Sequence, residues 1–116
     1  MLFKKQDQVV SYKENMRGGQ GTIMLNELMP KELLNGKSRL FSTITIEPGC
    51  SIGFHTHEKE CEIFYVIEGT LIYNENNDNE YTINVGDSVL NENMSGHSVR
   101  NESNCKAVIL ALILLA

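Results

Sequence analysis

Along most of the chain, apolar and polar residues alternate in short runs separated by turn residues. Arg39 to Ile46 (RLFSTITI) alternates and is rich in β-branched residues, which predicts a strand ended by Pro48-Gly49. Ser51 to His57, Glu62 to Glu68 (EIFYVIE), Thr70 to Tyr73, Tyr81 to Val85, Ser88 to Leu90 and Ser98 to Asn101 follow as further strands. Gly69, the polar loop NENNDNE and Gly86-Asp87 punctuate them. Thr22 to Leu28 reads as an earlier strand. Between it and Arg39, MPKELLNGKS is a turn or a single helical turn, with Asn35-Gly36 as its turn signal. Short strands with Gly and Asn turns indicate an all-β barrel or sandwich. Residues 1–21 are polar and end in RGGQG, so a short irregular N-terminal arm is expected ahead of a barrel over 22–116.

The last ten residues, AVILALILLA, depart from this alternation. A membrane helix needs about twenty apolar residues, so the run reads as a strand, Ala107 to Leu115, buried on both faces. Such a strand needs cover on its outer side. A second copy is the simplest cover, and a homodimer is expected.

Composition narrows the classes of function. A length of 116 residues suits one domain, and 41% apolar residues can build one core. The net charge of −5 argues against nucleic acid and anionic membranes as partners. Cys50, Cys61 and Cys105 are odd in number and have no CxxC spacing, which favours small buried residues in a reducing, cytoplasmic protein over a disulfide framework. The first ten residues have no signal-peptide core.

The candidate chemistry lies in GCSIGFHTHEKECEIFYVIEG, Gly49 to Gly69. Two of the chain's three histidines, His55 and His57, stand two apart there. Alternate residues on a strand share a face, about 6–7 Å apart, so two imidazoles can close on one ion. Glu62 opens the next strand across a tight turn and adds a carboxylate oxygen. The third histidine, His97, opens a later strand, and in a barrel these strand starts can converge. Ionisable groups are rarely sent unpaired into an apolar interior. Phe64 and Val66 share the face of Glu62, and Val99 and Asn101 that of His97, so all four are expected along a cavity wall. Asn101 could equally cap the turn NESN. Arg17 and Arg39 could clamp a carboxylate, although solvation is the commoner fate of arginine. Tyr65 and Tyr73 read as packing residues.

Gly49, His55, His57, Glu62 and Gly69 fit the first cupin motif, G-x5-H-x-H-x4-E-x6-G. Gly86, His97 and Asn101 fit the second, G-x5-P-x-G-x2-H-x3-N, with Glu92 in place of its proline and Met94 in place of its second glycine. The sequence therefore resembles a small single-domain cupin over about Arg39 to Leu115. The resemblance implies a jelly-roll barrel whose mouth holds one divalent transition metal (Fe, Mn, Ni, Co, Cu or Zn) on His55, His57, Glu62 and His97. Glu92 and Met94 leave the second-motif loop open, because proline fixes φ and glycine permits φ > 0.

The functions implied by the resemblance are those of a metal-dependent enzyme on a small oxygenated molecule, of dioxygenase, decarboxylase or isomerase type. The alternative is a non-catalytic module that binds a small ligand or the metal itself. The catalytic residues are unassigned, because the four ligands use up every histidine.

Overall fold

In the computed structural model of the protein, which describes residues 1–116, the alternating runs become strands. They are β1 (Val9–Glu14), β2 (Thr22–Glu27), β3 (Ser38–Ile46), β4 (Ser51–Thr56), β5 (Glu60–Glu68), β6 (Thr70–Glu75), β7 (Asn79–Asn84), β8 (Ser88–Asn91), β9 (Gly96–Arg100) and β10 (Ala107–Leu115). Only three short 3₁₀ turns accompany them, one at Lys31–Leu33 where a turn is expected. The strands form two antiparallel sheets, one ordered β1-β2-β3-β10-β5-β8 and the other β4-β9-β6-β7, in a jelly-roll arrangement.

The sheets face each other across one core. Ile44, Ile109 and Phe64 come to it from the larger sheet, and Ile52, Leu71, Val99 and Ile83 from the smaller. Burial alternates along the strands as a two-sided sheet requires. In β10, Ala107, Ile109, Ala111 and Ile113 are buried, and small and large residues take turns against the facing sheet. Its other face, Val108, Leu110 and Leu112, is half-buried, and Leu114 is exposed. The expectation of a strand buried on both faces is thus corrected for the single chain: β10 is the middle strand of a sheet with one uncovered side.

A second correction concerns the N-terminal segment. Within it, β1 pairs with β2 in register from Val9↔Glu27 to Glu14↔Thr22, so this stretch extends the larger sheet. Its polar, weakly alternating sequence (VVSYKE) hides the strand, because an edge strand buries little of either face: only Ser11 is partly covered. The cysteines are all free; Cys50 and Cys61 are half-buried, and Cys105 is exposed instead of buried. No helix is long and apolar enough to cross a membrane.

Candidate metal centre

The four residues singled out by spacing meet at one point between the sheets. One ligand atom from each of His55, His57, Glu62 and His97 lies within 4.8 Å of all the others. The His97 Nε2 atom is 3.2 Å from His55 Nε2 and 3.3 Å from His57 Nε2. Glu62 Oε1 is 3.0 Å from His57 Nε2 and 3.1 Å from His97 Nε2. His57, Glu62 and His97 are buried, and His55 is half-buried.

Local backbone features create this convergence. Strand β4 carries a bulge: Ile52 opposes Val99, yet His55 opposes His97, so β4 spends one residue more than β9 over the same span. Simple alternation from the buried Ile52 would turn His55 outward. The bulge at Gly53 and Phe54 resets the phase and brings His55 inward. Behind His57, the loop Glu92–Ser95 is tied to the histidine's own backbone. Met94 N–H donates to the His57 carbonyl at 2.7 Å, and His57 N–H donates to the Ser95 carbonyl at 3.1 Å. Met94 adopts φ 72°, so the loop keeps the left-handed turn that a glycine would take without strain.

Each imidazole is also held from behind. His55 Nδ1 is 2.8 Å from the Gly53 carbonyl, His57 Nδ1 is 2.5 Å from Glu60 Oε2, and His97 Nδ1 is 3.0 Å from the Tyr73 hydroxyl. All three partners can accept, so the tautomer that suits them carries its proton on Nδ1 and aims the Nε2 lone pair at the common centre. Phe64 stacks on His97 with ring centroids 5.1 Å apart and fixes the ring plane. Three lone pairs and a carboxylate oxygen this close repel one another unless a cation lies among them. The donor set therefore fits a metal ion.

The electrostatics agree. Burial lowers the His55 pKa to about 4, against the Gly53 carbonyl; His97, His57 and Arg17 lower it further, which keeps this ring neutral. The His57 pKa is raised, chiefly by its hydrogen bond to Glu62 and despite desolvation. Burial works to raise the Glu62 pKa, but hydrogen bonds from His57 and His97 outweigh it and the net direction is down. Glu60 falls to about 2, first because of Arg39. Arg39 grips Glu60 with two bonds of 2.7 Å, giving the chain Arg39–Glu60–His57.

Two functional residues escaped the sequence reading. Glu60 lies two before Glu62 and so shares its face, a period-two signal that was available. Tyr73, read as packing, reaches His97 only through the register of β6 on β9, which no local pattern reveals. Tyr65 points outward and is exposed. Of the expected wall residues, Phe64 lines a cavity of about 150 Å³ that opens beside His55, His57 and Glu62. Val66 belongs to the core, while Val99, also a core residue, and Asn101 border a separate groove outside β4 and β9. Asn101 is also buried, where it donates to the Ile46 and Cys105 carbonyls and accepts from Ser103; it closes a turn. Met16, Leu40, Ile113, Arg17 and Arg39 complete the cavity's relevant walls. A larger groove of about 600 Å³, outside β4 and β9, contains none of the four cluster residues.

A two-sheet jelly roll with three histidines and a glutamate gathered between its sheets defines a cupin-type metal site. The sequence matches the Cupin domain family over residues 42–113, and the chain belongs to that family. It is 37% identical over 101 residues to a Thermotoga maritima protein named oxalate-binding protein, covering 87% of this chain and 83% of the relative. It superposes with TM-score 0.94 and 33% identity on a predicted oxalate decarboxylase from Thermotoga maritima, with 100% of both chains covered. The cupin domain of Schizosaccharomyces pombe Cnp3 shares the fold, with TM-score 0.73 and 8% identity over 91% of this chain and 69% of that one.

Proposed function

We propose that the protein captures a small chelating dicarboxylate, oxalate or a molecule of its size, at a divalent ion held by His55, His57, Glu62 and His97. The observation that carries this reading is the set of inward Nε2 atoms, each braced through Nδ1, beside a cavity of about 150 Å³. A cavity of that size suits a ligand of a few heavy atoms. The Thermotoga maritima matches, named for oxalate binding and for predicted oxalate decarboxylation, point to the same ligand class.

When bound, the ion supplies Lewis acidity and open positions for an oxygen chelate. Four protein ligands would close a tetrahedral zinc, whereas a six-coordinate iron, manganese, cobalt or nickel keeps two places free. The chain's own residues do the rest. Glu60 and Tyr73 hold the rings, Glu62 offsets one positive charge, and Leu40, Phe64 and Ile113 keep the cavity dry.

Decarboxylation of such a ligand requires a proton on carbon. Apart from the metal cluster, the only ionisable side chains on the cavity wall are Arg17 and Arg39, and guanidinium is a poor proton donor. This favours reversible capture over turnover. Titration calorimetry of the manganese-loaded and metal-free protein with oxalate tests the reading. Binding to the loaded form alone, without formate or CO2 release, is the expected result. Equal binding with and without metal would contradict it, and stoichiometric formate would convert the assignment to a decarboxylase.

A second copy of the chain is inferred to cover the outer face of the larger sheet. Tyr65, Ile67 and Leu90 are exposed there beside the half-buried Leu110 and Leu112, an apolar row that a second copy would cover.

A further inference from the structure

Arg17 sits on a strap, the 3₁₀ turn Met16–Gly18, that crosses the mouth of the metal cavity. The strap is tightly built. Asn15 N–H donates to the Gly21 carbonyl at 2.9 Å, and Gly18 N–H and Gly19 N–H donate back to Asn15 and Met16. Met16 packs against the core. The strap's backbone lies directly on β4: a Cβ built on Gly53 would collide with the Arg17 carbonyl oxygen.

Within this fixed strap Arg17 holds φ 54° and ψ 30°, and Asn15 holds φ 50° and ψ 45°. Asparagine tolerates the left-handed region, but for a long side chain it is strained. Gly18, the next residue, would take that conformation freely. A strained non-glycine residue at a cavity mouth motivates a search for what its side chain does.

The arginines differ in their partners. Arg39 is bound by Glu60, and Arg100 by Glu80 and Glu102. Arg17 has no ion pair or hydrogen bond, although it lines the cavity with His55, His57 and Glu62. The charges can then be counted. A divalent ion with three neutral imidazoles and one carboxylate leaves +1. Arg39 and Glu60 cancel. Arg17 adds a second positive charge that nothing on the chain neutralises.

We propose that Arg17 is the anion anchor of the site: its guanidinium takes the carboxylate oxygens that the ion leaves free and so selects dianions over monoanions of the same size. This rests on the capture reading above and goes beyond it by naming the residue that sets ligand charge. A planar guanidinium matches a carboxylate edge with two parallel donors, which a lone metal ion cannot offer. The strap supplies the geometry, because with its backbone fixed only the freedom of the exposed Arg17 side chain remains to be lost on binding.

The experiment compares oxalate with glycolate, a chelator of similar size and one charge fewer, on the manganese-loaded protein by titration calorimetry. Wild type, Arg17→Ala, Arg17→Lys and Arg17→Gly are each measured, with manganese content and melting temperature recorded for every sample. The expected result is a loss of roughly ten- to hundredfold in oxalate affinity for Arg17→Ala, the range of a charge-assisted hydrogen-bonded pair. Glycolate affinity falls much less, metal content is unchanged, and lysine restores part of the oxalate binding. Arg17→Gly loses oxalate affinity while its melting temperature holds or rises, since glycine relieves the left-handed strain. Oxalate affinity that is unchanged in a fully loaded Arg17→Ala protein, or equal losses for both ligands, would overturn the anchor alone. Failure of wild type to bind either chelator would overturn the capture reading and the anchor with it.

Discussion

Glu60 carries more of the site than its place at the very start of β5 suggests. It links the exposed Arg39 to the buried His57 and holds that ring with its Nε2 toward the centre. Replacing such a carboxylate leaves the ligand in place but loosens its tautomer and orientation. Glu60→Gln should therefore lower manganese affinity by about 10- to 100-fold, read by chelator competition, with the circular-dichroism spectrum unchanged. The ionisation of these residues also sets a pH profile for the metal-free protein. Glu60 has a folded pKa of about 2, below its ordinary 4.5, so its contribution is complete above pH 4.5 and is lost as pH falls toward 2. His55, lowered to about 4 from 6.5, binds its proton more weakly when folded, so stability also declines from pH 6.5 downward. His57 works the other way: with its pKa raised above 6.5, it adds stability below that pH and loses it as pH climbs through the folded value. Melting temperature against pH, without metal, should peak near pH 6.5. The metal-induced rise in melting temperature should grow with pH, because the ion competes with protons for the imidazoles.

Between residue and sheet, two irregularities aim the ligands. The first is the bulge in β4, where Gly53 is required by the strap that lies on it. Gly53→Ala forces a Cβ into the Arg17 carbonyl, and a loss of about 2 kcal/mol or more in urea unfolding is expected. The second is the left-handed turn at Met94. That side chain is 65% exposed and contributes little packing, so Met94→Gly should stabilise by about 0.5 kcal/mol, the relief of φ strain less the added chain entropy of glycine. These two places also mark where the sequence stops being legible. Alternation identified β4 and the shared side of His55 and His57, but a bulge is a register event between strands and leaves no period in one of them. Met94 replaces the expected glycine, yet hydrogen bonds from both sides of the turn to His57 enforce the conformation regardless. Strand β1 was missed for a related reason: at a sheet edge neither face is buried enough to demand apolar residues.

At the scale of the molecule, the all-β class, the β10 boundaries and the meeting of His55, His57, Glu62 and His97 were readable, because each follows from period-two spacing or from a motif of fixed length. The separation of Val66, Val99 and Asn101 from the metal cavity was not, since period two gives a face and not a position along the barrel. The uncovered side of β10 leads to an assembly test. Tyr65→Glu places a charge on an exposed position of the outer face, opposite Leu110. Light scattering after gel filtration should give twice the chain's 13.1 kDa for wild type and a folded monomer for the variant; a monomeric wild type would remove the second copy from the account. The metal-capture reading itself is tested most directly by anomalous diffraction at the manganese edge, from crystals grown with manganese and oxalate. The account predicts one peak per chain, bonded to Nε2 of His55, His57 and His97 and to Glu62, with oxalate completing its coordination toward Arg17. A map with no peak among these four side chains, under metal concentrations that load other manganese proteins, would contradict it.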